Sequence, residues 1–484
     1  MLNQSGRSYD VAVIGAGVVG ALIARQLGRY DITAVVLERA NDVAQGTTKA
    51  NSAIVHAGFD AKPGSNKAKM NVAGNRLMPG LCETLHVPFR NNGSLVIALS
   101  EEELPELQRL LVRGEANGVP GLRLLDRSEL LAMEPQVNPE AAAALYAPTG
   151  GVVSPYELCV AAAENAVANG VTLLRNFAVE RITREERGFV LFSARESVRA
   201  GVVINAAGVF ADEIARMAGD ESFRIRPRRG EYILLDSSQA GVVEKTVFQC
   251  PSKMGKGVLI TPTVHGNILI GPSAQDIDDR EDLATTHGGL RGIQAAVRRT
   301  VPGYQIRDII TSFTGLRAHC SRDDFVLEAS AANPRLIHAA GVESPGLTAA
   351  PAIAQHIAQL ALKALGGACA EKAGWVPGRP APLRMRELSH GERRAAIAKN
   401  PAYGRIVCRC ETVSEGEILD AIRAPAGATD VDGVKRRTRA GMGRCQGGFC
   451  GPRVLELLAR ELGLPSEEIT KCGGDSRILL NKTK

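Results

Sequence analysis

The densest chemical signal in this 484-residue chain is a set of four cysteines near its end. Cys408-x-Cys410 is followed, after 34 intervening residues, by Cys445-x4-Cys450, whereas Cys82, Cys159, Cys250, Cys320, Cys369 and Cys472 are scattered. Ten cysteines in so long a chain are no disulfide framework, and clustering of this kind reads as metal binding. Four thiolates suit zinc or an iron–sulfur cluster, and spacing does not always separate the two. Zinc pairs normally stand two to four residues apart, so gaps of one and four are unusual for zinc. Lys435, Arg436, Arg437, Arg439 and Arg444 lie among these ligands. Such a run reads as a solvated face, as compensation for an anionic cluster, or as a dock for an acidic electron partner. Nucleic-acid binding by this run is disfavoured, because no stacking aromatics accompany it.

At the other end, Gly15-Ala16-Gly17-Val18-Val19-Gly20 follows an apolar run at 9–14 and precedes a helical composition at 21–27. A second apolar run at 33–37 ends in Glu38. This β-α-β context turns a weak GxGxxG match into a strong dinucleotide fingerprint. Gly15 permits the tight turn, Gly17 admits pyrophosphate to backbone N–H groups, and Gly20 lets helix pack closely on strand. Glu38 would accept hydrogen bonds from the adenosine ribose hydroxyls, and its charge disfavours a 2′-phosphate, which makes NADP the poorest occupant.

The remaining chain must position these groups. Its length suggests about two to four domains. Apolar residues at 45% and charged residues at 23% exclude a wholly disordered protein. With 58 basic and 52 acidic residues, the net +6 is too modest for a broad nucleic-acid-binding face. Aromatics, at 4%, are too few for base- or sugar-stacking platforms to dominate. Residues 1–10 lack a signal-peptide pattern and no apolar run is long enough to span a bilayer, so we expect a cytoplasmic protein, or one held peripherally at the inner membrane face through a partner. Residues 41–89 read as loop-rich and polar; 90–146 as an extended piece with helices at 101–117 and 127–133. Strand and helix signals alternate again over 151–208, and strands dominate 225–320. A strand at 336–341 leads into an apolar helix at 349–365. The Gly/Pro/Ala-rich stretch after it reads as a linker.

Together, the fingerprint, the strand Ile204-Asn205-Ala206-Ala207-Gly208 and the loop Gly341-Val342-Glu343-Ser344-Pro345-Gly346 resemble the glycine/D-amino-acid oxidase superfamily of FAD enzymes. Three stretches narrow the likeness: Gly46-Thr47-Thr48-Lys49-Ala50-Asn51-Ser52 running on to Phe59, Pro227-Arg228-Arg229-Gly230-Glu231-Tyr232, and Thr314-Gly315-Leu316-Arg317. They resemble the anaerobic-type glycerol-3-phosphate dehydrogenases, which are similar in turn to L-2-hydroxyglutarate enzymes. The resemblance covers about 8–365. It implies an α/β fold: a Rossmann-like FAD domain (about 8–89, 147–215 and 321–365) with an inserted, mainly antiparallel α+β substrate domain (about 90–146 and 216–320). A linker at 366–404 then leads to a small module at 405–484. The implied FAD contacts are Gly15, Gly17, Gly20, Glu38, Thr47, Thr48, Asn51, Ser52, Gly208, Gly341, Ser344, Gly346, Leu347 and Thr348, and the helix beginning near Gly346 would stabilise negative charge on reduced flavin. The cysteine spacing, with Gly441-Met442-Gly443-Arg444-Cys445-Gln446-Gly447-Gly448-Phe449-Cys450, resembles the bacterioferritin-associated ferredoxin-like [2Fe–2S] domain, whose ligands here would be Cys408, Cys410, Cys445 and Cys450.

A flavin enzyme that oxidises an alcohol needs a base for the hydroxyl proton and an anchor for the substrate's anion. His56, in the flavin-proximal loop of the resemblance, is the base candidate. Arg317 and Arg229 are the anion anchors, since guanidinium grips carboxylate or phosphate bidentately. Lys253, Lys256 and His265 are weaker candidates. The expected function is oxidation of sn-glycerol 3-phosphate to dihydroxyacetone phosphate, with electrons leaving through the [2Fe–2S] cluster to an acceptor protein, additional subunits or quinone. The alternatives are oxidation of L-2-hydroxyglutarate or a related 2-hydroxy acid, an amine-oxidising subunit of a heteromeric dehydrogenase, and a non-catalytic electron-transfer subunit.

Overall fold

The computed structural model describes residues 7–251, 257–367 and 369–481. In chain order, the elements that build the site are β1 (Arg7–Ile14), α1 (Val18–Leu27), β2 (Ala34–Glu38), α2 (Asn66–Thr84), α3 (Pro155–Ala168), β3 (Thr172–Arg175), β4 (Ser197–Asn205), β5 (Ile225–Leu235), β6 (Ile309–Cys320), β7 (Leu336–Ala340), α4 (Gly346–Ala364), α5 (Val431–Thr438) and α6 (Gly451–Leu462).

Val11 to Ile14 of β1 and all of β2 are buried without alternation, the pattern of strands covered on both faces. They pair in parallel, β1 also pairs in parallel with β4, β2 with β3, and β4 with β7. The sheet thus runs β3-β2-β1-β4-β7, with an antiparallel hairpin, Arg181–Glu185 and Gly188–Phe192, along the first half of β4. Helices α1, α3 and α4 cover one face and share one apolar core with it. This is the parallel, Rossmann-like α/β arrangement that the fingerprint implies.

A second sheet of nine strands is mostly antiparallel and has its own core of Leu95, Ile97, Ile233, Ile260, Ile270 and neighbours. Its long pair, β5 and β6, sets Arg228 opposite Arg317, Gly230 opposite Gly315 and Tyr232 opposite Phe313. Its strands come from 94–147 and 225–320, between segments of the first sheet. The amphipathic helix His287–Thr300 packs Ile293 and Val297 against this sheet, a helix that the strand-dominated reading of 225–320 passed over.

The polar reading of 41–89 as loop is corrected more sharply, because α2 occupies nineteen residues of it. Pro79, Gly74, Gly80 and several asparagines disguise the helix, and only Ala68, Asn71, Val72, Gly74, Met78 and Cys82 are buried. Tertiary packing makes it: a Cβ on Gly74 would stand 2.0 Å from the Thr348 carbonyl of α4, so only glycine permits this approach of two helices.

The stretch expected as a linker is a strap fastened to the first domain. Arg25 donates to the Pro377 carbonyl (2.6 Å), Arg379 pairs with Glu164, Asn165 donates to the Val376 and Gly378 carbonyls, and Trp375 lies against Arg25 and Arg29. Beyond it the terminal module packs a hairpin (Ile406–Cys408 with Val413–Ser414), the helix Glu415–Arg423, α5 and α6 around Ile418, Val434, Val454 and Leu458. No helix among the described residues is long and apolar enough to cross a membrane.

Most of the cationic run turns inward, and only Arg444 keeps a largely exposed side chain. Arg436 and Arg437 are buried and converge on Asp42, four residues beyond Glu38, which is wholly buried. Arg437 grips it bidentately at 2.8 Å through both nitrogens, Arg436 reaches it at 2.5 Å, and Asn41 bonds Asp430 at 2.5 Å beside them. Arg439 bonds Glu411 at 2.7 Å, and Arg444 reaches Asp236 of the second sheet at 3.0 Å. Burial alone would raise the Asp42 carboxyl, but Arg437 and Arg436 outweigh it and hold it at about 2. Its folded pKa lies below the ordinary 3.8, so this stabilisation is complete above about pH 4 and is lost as pH falls towards 2.

Asp42→Ala leaves Arg437 buried without a carboxylate and Arg436 with only Asp430, 3.9 Å away, a loss of about 3–5 kcal/mol in docking of the module. Calorimetry should then resolve a separate, earlier transition for the module, and proteases should cut within 366–404. A single unchanged transition with no new cleavage would show that the module docks without Asp42.

Candidate functional site

A continuous cavity of about 1110 Å³ runs from the fingerprint to the face of β5 and β6. Pockets for drug-sized ligands span about 300–1,000 Å³, so there is room for a dinucleotide and a small substrate together.

The fingerprint forms its outer end. Gly15 has φ +103°, and a Cβ there would meet the Ala206 carbonyl at 2.6 Å. Gly17 has ordinary φ and lines the cavity with only the Thr48 hydroxyl nearby. Gly20 does not line it; its missing side chain lets α1 sit on the Gly15 carbonyl, at 2.0 Å from an imagined Cβ. Glu38 accepts from Ala16 N–H (2.7 Å) and Ala40 N–H (2.9 Å), which opposes the upward push of burial on its carboxyl. Each oxygen keeps a second lone pair for a ribose hydroxyl. These acceptors therefore fit the ribose hydroxyls at the adenosine end of FAD.

The loop after β2 mixes roles. Thr48 accepts from the Val18 N–H at 2.9 Å. The Thr47 hydroxyl donates to the Leu316 carbonyl (2.6 Å), and the Asn51 amide donates to the Thr47 and Thr48 carbonyls. Thr47 and Asn51 thus fasten the loop, while Thr47, Thr48, Asn51, Ser52 and Gly208 all line the cavity. Gly315 is essential to the closure: a Cβ there would stand 1.8 Å from the Ala50 carbonyl.

At the inner end stand His56, Ser344, Gly346, Leu347 and Arg317. Thr348 lies just behind, its hydroxyl accepting from the His56 N–H (2.8 Å), and Ser344 Oγ is 3.4 Å from His56 Nε2. Gly341 shapes the turn before α4 at φ +65° and does not line the cavity. Arg317 donates through Nη2 to the carbonyls of Arg229 (3.1 Å) and Ser273 (2.5 Å), while its buried Nε has no protein partner. An anion would satisfy that orphan.

The Arg229 side chain does not stand beside that of Arg317, which bonds only its carbonyl. Strand alternation turns it to the other face of β5, where it is buried and paired with Asp282; Arg228 shares the Arg317 face and lines the cavity. His265 is also elsewhere. It bonds Glu157 of α3 (2.9 Å) and lies 3.3 Å from Arg386 of the strap. Lys253 and Lys256 lie outside the described residues. Sequence reasoning missed Phe248, whose ring is 5.8 Å from that of His56, and the group in which Lys67 (2.8 Å) and His319 (3.1 Å) both bond Glu343. Tyr232 and Arg228 lay within a quoted stretch and only strand register could have singled them out; Lys67 sat in the disguised helix.

In the terminal module the thiols stand as two pairs. Cys450 donates to Cys408 inside the module's core, and Cys410 donates to Cys445 at 3.6 Å at its surface. Among the described residues no three ligating side chains converge on one point. Two pairs fit a cluster in which each of two irons takes two sulfurs. Backbone N–H groups of Glu411 and Gly441 point at Cys408, and those of Gly447 and Phe449 at Cys445, which favours thiolate and tunes a cluster. A Cβ on Gly443 would meet that of Cys410 at 2.4 Å, so this loop closes only with glycine.

Gly17→Val keeps an allowed backbone and places two methyl groups where pyrophosphate must approach. Purified protein should keep its circular dichroism and lose its flavin absorbance by about tenfold or more. Full flavin content in that variant would move the site elsewhere. Cys450→Ser should remove most of the iron and the reduced-state EPR signal while sparing the flavin; unchanged iron would remove Cys450 from the ligand set.

Comparison with known proteins agrees with this geometry. The family model for the FAD dependent oxidoreductases (DAO) matches residues 10–360, and that for the BFD-like [2Fe-2S] binding domain matches 406–460. The chain is 46% identical over 476 residues to the glycerol 3-phosphate dehydrogenase of Caloramator mitchellensis, covering 98% of this chain and 99% of that one. It is 28% identical to the human mitochondrial L-2-hydroxyglutarate dehydrogenase, covering 74% and 89%. Its fold matches the FAD-bound L-alpha-glycerophosphate oxidase of Mycoplasma pneumoniae with a TM-score of 0.73 at 30% identity, over 77% of this chain and 99% of that one. The chain belongs to the DAO family of FAD-dependent oxidoreductases and carries at its C-terminal end a BFD-like [2Fe–2S] domain.

Proposed function

We propose that this protein oxidises sn-glycerol 3-phosphate to dihydroxyacetone phosphate and passes the electrons through its [2Fe–2S] cluster to an acceptor protein. The observation that carries the reading is Arg317: a guanidinium lining the cavity on β6, with a buried N–H that has no protein partner. The near full-length likeness to a glycerol 3-phosphate dehydrogenase supports the same substrate.

Oxidation of the secondary alcohol removes two electrons and two protons. FAD supplies the acceptor for the hydrogen on carbon when it is bound. His56, its backbone fixed by Thr348, takes the hydroxyl proton, and Ser344 Oγ orients the imidazole. Arg317 holds the phosphate; Arg228, tied to Asp276 by bonds of 2.5 and 3.2 Å, adds positive potential on the same face. Phe248 covers the His56 side and narrows the space for water. In this reading the first sheet and its helices hold FAD, the second sheet forms the substrate wall, and Cys408, Cys410, Cys445 and Cys450 hold the cluster. About a quarter of this chain has no counterpart in the Mycoplasma oxidase, comparable with the share that strap and module occupy. A second redox centre suits electrons that leave to a carrier and not to oxygen.

Anaerobic addition of glycerol 3-phosphate should bleach the flavin within the turnover time; bleaching by L-2-hydroxyglutarate alone would replace the substrate and leave the fold and cofactors standing. Charge-assisted bonds contribute about 1.5–3 kcal/mol, so Arg317→Ala should lower kcat/KM by about one to two decades with an unchanged flavin spectrum. Arg317→Lys should recover part of this for a phosphate dianion, less for a carboxylate held in a fork. Wild-type efficiency in both variants would exclude the anchor role.

A further inference from the structure

The two cysteine pairs differ in exposure. Cys408 and Cys450 are buried in the module, whereas Cys410 is exposed and Cys445 partly so. At that outer edge stands the most exposed large apolar side chain among the described residues: Phe449, 86% exposed, whose backbone N–H donates to the Cys445 sulfur. An aromatic ring held in water beside a cluster ligand contributes nothing to the module's core.

Cations flank it along the chain and stand next to the ligand cysteines. Arg409 lies between Cys408 and Cys410 and is exposed; Arg444, next to Cys445, is 69% exposed at its side chain; Arg453 projects four residues beyond Phe449. Asp236, which pairs with Arg444, and Glu415, which pairs with Arg453, are largely buried; Arg453 also pairs with the exposed Glu456, so Arg444 is the more outward of the two guanidiniums. Arg436, Arg437 and Arg439 of the same run point inward instead, at Asp42 and Glu411.

We propose that this edge, with Phe449 at its centre and Arg409, Arg444 and Arg453 around it, is the docking face for an acidic one-electron carrier protein. The inference deepens the proposed function and rests on its assignment of the cluster as the exit for electrons. An apolar anchor ringed by charge is the anatomy of a small, transient interface, and redox encounters are at the small end of interface sizes. The charge ring steers encounter and selects an acidic partner, while the single buried ring limits residence time. Each alcohol oxidised releases two electrons, so a one-electron carrier docks twice per turnover, and weak binding with fast release serves that better than tight binding.

The test uses the full-length protein with both cofactors and, as probe, an acidic plant-type ferredoxin, with basic cytochrome c as the opposite-charge control. Equilibrium binding is measured at 50 and 200 mM salt, with iron content and the EPR signal verified in every variant. Ferredoxin should bind and weaken with salt, and cytochrome c should not bind. Phe449→Ala should raise the ferredoxin Kd by about tenfold, and Arg409→Glu should lower kon by about tenfold and flatten the salt dependence. Equal binding of ferredoxin by wild type and both variants, tighter binding of cytochrome c, or a self-association that Phe449→Ala abolishes would each overturn the proposal. Capture by phosphatidylcholine vesicles that Phe449→Ala abolishes would overturn it too, by making a lipid surface the occupant. Binding is read without turnover, so a substrate that bleaches the flavin and leaves the cluster oxidised would refute the electron route, separately from the docking result.

Discussion

Asp42 is a carboxylate with no exposed surface, clamped between Arg436 and Arg437 of another module. A charge so placed cannot stay without its partners, because the cost of desolvating it is met only by bidentate bonding. It therefore fixes where the cluster module sits. The clamp is also four residues along the same chain segment from Glu38, whose carboxylate bonds the fingerprint turn at Ala16. One short segment thus joins the adenosine end of the cofactor cavity to the helix that precedes the second pair of cluster cysteines. The sequence that supplies α5 with cations is, in physical terms, the counterpart of a single acid in a distant loop.

The same segment continues through Thr48, which bonds the N–H of Val18 at the start of α1, to His56 at the inner end of the cavity. It is held from outside by two contacts that only glycine permits. Gly315 lets β6 touch the Ala50 carbonyl, and Gly74 lets α2 touch α4 at Thr348, whose hydroxyl in turn accepts from the His56 N–H. A methyl group at either place would push the segment away from one wall of the cavity. The positions of acid, hydroxyl and imidazole along the cavity are therefore set by close backbone packing and not by the side chains themselves.

A second junction lies where the three parts meet the strap. Glu157 of α3 bonds His265 of the second sheet's loop and Arg384 of the strap; Arg386 reaches His265 and Glu411; Arg439 of the cluster module reaches Glu411 and Asn267. Burial would raise the Glu157 carboxyl, yet His265 and Arg384 hold it at about 2, and burial keeps His265 below its ordinary value, so the pair joins a carboxylate to a neutral imidazole. With the Asp42 clamp this gives the module two separate buried attachments, and a network whose every charge is answered resists relative motion.

The order of elements around the fingerprint, the acid closing β2 and the four-cysteine spacing could be read in the chain because local rules govern them: a turn that needs glycine, a strand that must end in an acceptor, thiols at fixed separations. Those rules determined that a dinucleotide and a thiolate-held metal centre are bound and which parts of the chain hold them; the family resemblance in the same residues implied FAD and [2Fe–2S]. Only the tertiary structure decided which cations face which anions. Arg228 and Arg229 are neighbours in sequence, and strand alternation against β6 sends one to the cavity and the other to Asp282. Arg436 and Arg444 read as one run, and helix and loop geometry turn one to a buried acid and leave the other at the surface. α2 was illegible for the same reason: its stability comes from the glycine-to-backbone contact with α4 and not from its own pattern. Charge and apolarity can be counted along a chain, but the partner of each group is chosen by non-local packing, which sequence spacing does not encode.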